Sequence, residues 1–118
     1  MFEKNMRLAY LIDFYIDLFD AHSQSILRAY YDDDLSLAEI AAGEGISRQG
    51  IRHIIKKSEE MILFYEEKLG LAKKHEALES AAKTLDSLKS EILSESFEKD
   101  SAASEIDSVI GTILSKGV

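Results

Sequence analysis

The chain has 118 residues, no cysteine, no proline and a formal net charge of -8. That length suits one domain with room for an appendage. Its 46% hydrophobic and 31% charged residues exclude a disordered class, and the absence of cysteine excludes a disulfide framework, a thiol nucleophile and a thiolate metal site. With no proline, six scattered glycines and much Leu, Ile, Ala, Glu, Lys and Ser, the sequence predicts an all-α protein.

The first helix is predicted over 5–19. Leu8, Leu11, Ile12, Tyr15, Leu18 and Phe19 recur at three- and four-residue steps and form one apolar stripe, with Tyr10, Phe14 and Ile16 beside or behind it. Apolar character on more than one side predicts burial on two sides, in a multi-helix core or against another subunit. The apolar run "LAYLIDFYIDLF" carries Asp13 and Asp17 and is too short to span a bilayer. No basic stretch followed by an apolar run and a small-residue cleavage site is present, so no signal peptide is expected. The expectation is a protein of a reducing cytoplasm, without membrane insertion.

A second helix follows, with Ser23 as its expected N-cap and Ile26, Leu27, Tyr30 and Tyr31 facing inward. "DDD" at 32–34 stops it, because adjacent carboxylates repel one another and sit badly at a helix C-terminus. These acids lack the alternating ligands, glycine and distant Glu of a calcium loop, so they read as a solvated turn.

"SLAEIAA" is the third helix. Ser36 and Glu39 have capping-box spacing, and Leu37, Ile40 and Ala41 face inward. "GEG" supplies a turn, and Ser47 is expected to cap a long fourth helix running to about Leu69, where Gly70 stops it. Its apolar positions are Ile51, Ile54, Ile55, Ile62, Tyr65 and Leu69; the series 51, 55, 58, 62, 65, 69 is a heptad-like seam broken by Ser58. Beyond it the composition shifts toward Ser, Ala, Lys and Glu. A fifth helix carries the stripe Leu78, Ala82, Leu85, Leu88 and Ile92. "SESFEKDSAAS" at 94–104 reads as a polar joint, and Ile106, Val109, Ile110, Ile113 and Leu114 mark a short last helix. Two domains are expected: a helix-turn-helix domain at 1–70 and a helical extension at 71–118 for docking or dimerisation.

The third and fourth helices fit a helix-turn-helix for physical reasons. Two helices that cross closely need a small residue at the contact, here Ala41. The turn needs a residue at positive φ, here Gly45. The second helix needs an apolar residue facing back, here Ile51, with Ile40, Ile46 and Ile54 completing the core face. The outward positions are Ser47, Arg48, Gln49, Arg52, His53 and Lys56, a face of hydrogen-bond donors such as groove recognition requires. Arg48, Arg52, Lys56 and Lys57 fall within 47–57 with no acid among them, whereas residues 1–46 hold three bases against nine acids. Glu59 and Glu60 close the basic run, and the acidic remainder opposes phosphate. Gly50 costs about 1 kcal/mol relative to alanine inside a helix; either it lets the backbone approach something closely or it is a tolerated weakness, and the second reading is preferred.

His22, His53 and His75 have no partner at metal-ligand spacing. No G-x-S-x-G, P-loop or G-x-G-x-x-G motif occurs, so no catalytic residue, metal or cofactor is assigned.

The pattern "SLAEIA…GISRQ" resembles region 4 of bacterial sigma factors, which reads a promoter element. The ordered run "LIDFY" at 11–15, "ILRAYYDDDLSLAEIA" at 26–41, "ISRQGI" at 46–51 and "YEEKLGL" at 65–71 resembles the YlxM family more closely, over about residues 5–71. That resemblance implies a small helix-turn-helix DNA-binding protein, and through gene neighbourhood a link to the signal recognition particle pathway. Alanine is the more usual residue at position 50 in the family.

The expected fold is therefore a sigma region 4-like helix-turn-helix bundle with a long fourth helix and C-terminal helices. The expected function is non-enzymatic regulation through duplex DNA. Arg48 and Gln49 would reach base edges, Arg52 and His53 bases or phosphate, and Lys56 and Lys57 phosphate. Ser47 would cap its helix or donate to phosphate, and the helix N-terminus at Leu37 would offer a further phosphate contact. The first helix and the seam from Ile62 to Leu69 suggest a homodimer presenting half-sites about 34 Å apart. The competing expectation is an adaptor that meets protein or RNA components of the signal recognition particle.

Overall fold

Asn5 starts the first helix: its side chain accepts from the backbone N–H groups of Arg7 and Leu8. The computed structural model describes residues 4–94 and 97–115. Among these it is all-helical, with α1 Met6–Tyr15, α2 Ala21–Tyr31, α3 Leu37–Glu44, α4 Arg48–Leu69, α5 Leu71–Ile92 and α6 Lys99–Leu114. The chain divides into two compact units, Met1–Leu69 and Gly70–Val118.

In the first unit α4 is the central element, packing on α1, α2 and α3. Ile51, Ile55 and Ile62 are fully buried along it, and Ser58, the break in the apolar seam, is buried as well. Leu8, Leu11, Ile12 and Tyr15 meet this seam from α1. The Tyr15 hydroxyl donates to Glu66, and the rings of Tyr15 and Phe19 lie 6.0 and 6.1 Å from that of Tyr65.

The first helix is shorter than the sequence predicts. It ends at Tyr15 and passes into a 3-10 turn at Ile16–Leu18. Three residues per turn instead of 3.6 shifts the phase of the stripe. Ile16, expected behind the stripe, is buried, and Leu18, expected within it, is 55% exposed.

Asp20, not Ser23, caps α2. Its carboxylate accepts from the Ser23 N–H at 2.8 Å, and this backbone bond holds the carboxyl below its ordinary range. Ser23 occupies the third helical position, where a cap finds its donor. At the other end Asp32 pairs with Arg28 at 3.2 Å. Asp34 adopts φ 57 and bonds to Lys4, which holds its carboxyl low. Two of the three acids, Asp32 and Asp34, are thus paired with cations, and no group of three potential metal ligands occurs among the described residues.

In the second unit α5 packs on α6. Its buried residues are Ala72, Ala81, Leu88, Ala102 and Val109. Of the stripe predicted to face inward on α5, Leu88 alone is buried; Leu78, Leu85 and Ile92 are 54, 44 and 51% exposed. Of the α6 stripe, Val109 is buried, while Ile106, Ile110, Ile113 and Leu114 are exposed. The line of closest approach runs through alanine, because small residues let two helices come together and push the larger side chains to the flanks. The polar joint is shorter than expected, since α6 begins at Lys99 with Glu98 as its N-cap. Glu95 and Ser96 of that joint lie outside the described residues.

Candidate nucleic-acid interface

Ser36 and Glu39 close a capping box at the start of α3. The Ser36 Oγ accepts from the Glu39 N–H at 3.1 Å, and the Glu39 carboxylate accepts from the Ser36 N–H at 3.0 Å. These bonds hold the Glu39 carboxyl below its ordinary value. An acid bound at this N-terminus counts against the phosphate contact expected at Leu37.

The helix ends at Gly45, whose φ of 71 closes the turn. Ile40 and Ala41 then pack with Ile51 and Ile55 of α4 and with Ile26 and Tyr30 of α2, while Leu37 and Ile54 lie half-buried against this cluster. Ala41, Gly45 and Ile51 therefore hold the positions a helix-turn-helix demands. Ile46 departs from expectation: it is 36% exposed, at the edge of the turn rather than in the core.

Ser47 caps α4 through its side chain, accepting from the Gly50 N–H at 3.0 Å. A Cβ placed on Gly50 would meet the Ser47 Oγ at 3.3 Å and the Ile46 Cδ1 at 3.6 Å, so no backbone approach requires glycine there. From this cap the residues 48, 52 and 56 form one row along the helix and 49, 53 and 57 the adjoining row. Ser47, Arg48, Gln49, Arg52, His53, Lys56 and Lys57 are all exposed. The two rows run for about 14 Å at 1.5 Å per residue. Five of these residues, Ser47, Gln49, Arg52, His53 and Lys56, border one open concavity together with Gly50.

The two acids after the basic run behave differently. Glu60 is exposed, whereas Glu59 is 8% exposed and accepts a hydrogen bond from the Tyr31 hydroxyl. Burial pushes the Tyr31 hydroxyl above its ordinary value, and the bond to Glu59 pushes the same way. Lys56 Nζ lies 3.9 Å from the Glu59 Oε1, so part of its charge is already offset, while Lys57 projects into solvent. Sequence order alone set Glu59 against the basic face; its inward orientation comes from Tyr31, 28 residues away.

His22 also has a partner that spacing did not reveal. Its Nε2 lies 3.2 Å from Glu44, which accepts from the Ser25 hydroxyl as well, tying α2 to the end of α3. His75 pairs with Glu79 one turn along α5, at 2.6 Å.

A close-packed helix–turn–helix with an exposed, donor-rich second helix defines the class: this is a helix-turn-helix protein. It belongs to the family described as "Putative helix-turn-helix protein, YlxM / p13 like", whose profile matches residues 2–105. The chain is 41% identical over 97 residues to a UPF0122 protein of Listeria innocua, covering 82% of this chain and 86% of that one. It is 43% identical over 91 residues to a UPF0122 protein of Bacillus cereus, covering 77% and 83%. A UPF0122 protein of Symbiobacterium thermophilum is 44% identical over 70 residues, 59% of this chain and 65% of its own length. No helix among the described residues is long and apolar enough to cross a membrane.

Proposed function

We propose that this protein is a cytoplasmic, non-enzymatic regulator that binds duplex DNA through α4. The observation that carries this reading is the uninterrupted exposed ledge of Arg48, Arg52, Lys56 and Lys57 on the second helix of the motif, in a chain of net charge -8. Charge so segregated has a use at a polyanion and none in the core. Arg48 and Gln49, at the helix start, reach base edges; Arg52 and His53 reach bases or phosphate; Lys56 and Lys57 neutralise phosphate. Ser47 serves the fold first, as the N-cap bonded to Gly50.

The rest of the protein repels phosphate, so one ledge binds weakly. Two copies acting together on paired half-sites overcome this. The surface the sequence offered for pairing is largely spent inside the first unit, where Ile62 is fully buried and Tyr65 half-buried.

Equilibrium binding of the purified chain to random duplex DNA at low salt tests the reading, with structured RNA in competition. Duplex binding that strengthens as salt is diluted supports it. Preference for RNA transfers the ledge to a ribonucleoprotein partner, such as the signal recognition particle implied by the family resemblance. No binding to either overturns the nucleic-acid reading.

A further inference from the structure

Four residues of α5 recur every seven positions: Leu71, Leu78, Leu85 and Ile92. All four are exposed, between 39 and 54%. A seven-residue apolar repeat keeps one edge of a helix facing a partner along its whole length, because two turns of an underwound helix return to the same side. Here that edge flanks the buried Ala81 and Leu88, since Leu78 and Leu85 stand three and four residues from Ala81 and Ile92 four from Leu88. The neighbouring helix extends the same surface: Ile110 and Ile113 of α6 are exposed, and Ile113 lines one groove with Leu78.

The hairpin's own core is small. Three of its five buried residues are alanines, and the chain has no cysteine to staple it. A unit this short with so little internal burial gains its stability by association. The apolar surface left open by these six side chains is on the order of 500 Å² per copy, which with a polar rim approaches the roughly 800 Å² per partner of a stable interface.

We propose that the occupant of this face is the same face of a second copy, so that two α5–α6 hairpins form a four-helix bundle. Charge counts against a nucleic acid or an anionic membrane. Lys73, Lys74, Lys83 and Lys89 of α5 are matched by Glu76, Glu79, Asp86 and Glu91, and α6 adds Lys99 against Asp100, Glu105 and Asp107, so the face holds no surplus of positive charge to attract a polyanion. A second copy also brings a strip of identical pitch and length, as an isologous two-fold contact requires. The bundle supplies the pairing invoked for DNA binding, but it rests on the second unit alone and stands if α4 binds no nucleic acid.

Sedimentation of the full-length chain in the absence of DNA gives a dimer, and Leu78→Glu with Leu85→Glu converts it to a monomer. Leu63→Glu with Phe64→Glu, on exposed positions of α4, leaves the dimer intact. Because the α5 variant can lose the hairpin altogether, the wild-type chain is also probed by methyl NMR with a soluble nitroxide. The Leu78, Leu85 and Ile110 methyls stay sharp although a single chain exposes them, while those of Leu63 broaden. A wild-type monomer overturns the proposal. So does a dimer in which the Leu78 and Leu85 methyls broaden like those of Leu63, or one that the Leu63→Glu, Phe64→Glu variant dissociates.

Discussion

The Tyr31 hydroxyl donates to the Glu59 carboxylate, so α2 draws an acid of α4 into the interior of the bundle just where the basic run ends. Removing the phenolic oxygen leaves a buried carboxylate without that donor. Tyr31→Phe is expected to destabilise the first unit by about 1–3 kcal/mol, since an unsatisfied buried acceptor costs its desolvation. Urea denaturation followed by far-UV circular dichroism measures it, and a change within error of zero would show the bond to be dispensable.

The two lysines at the end of the ledge should differ. Lys57→Ala is expected to reduce the slope of log affinity against log salt by about one for every duplex tested. Lys56→Ala should reduce it by less, because Glu59 lies 3.9 Å from the Lys56 ammonium and already offsets part of the charge. Arg48→Ala should instead narrow the gap between preferred and random sequences, by about 1–3 kcal/mol if its base contact is bidentate. Equal slopes for the two lysine variants would remove the role given to Glu59.

Two glycines of the motif should respond to alanine in opposite senses. At Gly45, with φ 71, a Cβ meets no neighbour, but the left-handed backbone itself costs about 1 kcal/mol. Gly50 is helical, and the nearest obstacle to a Cβ is the hydroxyl of Ser47 at 3.3 Å, on an exposed side chain that can yield. Gly50→Ala is therefore expected to stabilise by about 0.5–1 kcal/mol through helix propensity. Thermal melts of the two variants check the signs; a destabilised Gly50→Ala would mean that the Ser47 cap cannot adjust.

Acid should loosen the caps of α2 and α3. Asp20 and Glu39 are both held below their ordinary values, 3.8 and 4.5, by backbone hydrogen bonds. A depressed carboxyl binds its proton more readily in the unfolded chain, so its contribution is complete above the ordinary value and fades as pH falls through the lower folded one. The melting temperature should hold from neutrality to about pH 5 and then decline with acidification. Glu39→Gln, which keeps an acceptor but no titrating group, should flatten part of that decline. An unchanged acid limb in this variant would show that other carboxylates govern it.

Much of the motif was legible in the sequence because its determinants are local. The Ser36–Glu39 box, the turn at Gly45, the Ser47 cap and the stop at Gly70 each depend on a few consecutive residues whose chemistry admits few conformations. Ile51, Ile55 and Ile62 followed from helical period. What escaped depends on geometry that no short window carries. The 3-10 turn at Ile16–Leu18 rephases a stripe that looked continuous, and Asp20 competes with Ser23 for the same cap. On α5 the apolar period marks a helix but not its inward face. Ala81 carries little hydrophobic weight, so Leu78 and Leu85 outweigh it on paper, although close helix contact selects the smaller side chain. For the ledge, sequence gave its members and their exposure; the inward turn of Glu59 required Tyr31 to be placed beside it.

The neighbours Glu59 and Glu60 look interchangeable in one dimension, yet they answer to different pressures during divergence. Glu59 belongs to the fold and is tied to the phenol at position 31. Relatives that replace Tyr31 with a side chain lacking a donor are expected to replace Glu59 with a neutral residue as well. Glu60 faces solvent at the end of the ledge and is free to drift toward lysine or glutamine as the molecule it borders changes. Covariation at 31 and 59, beside independent variation at 60, would therefore separate the inheritance of a scaffold from the inheritance of a target.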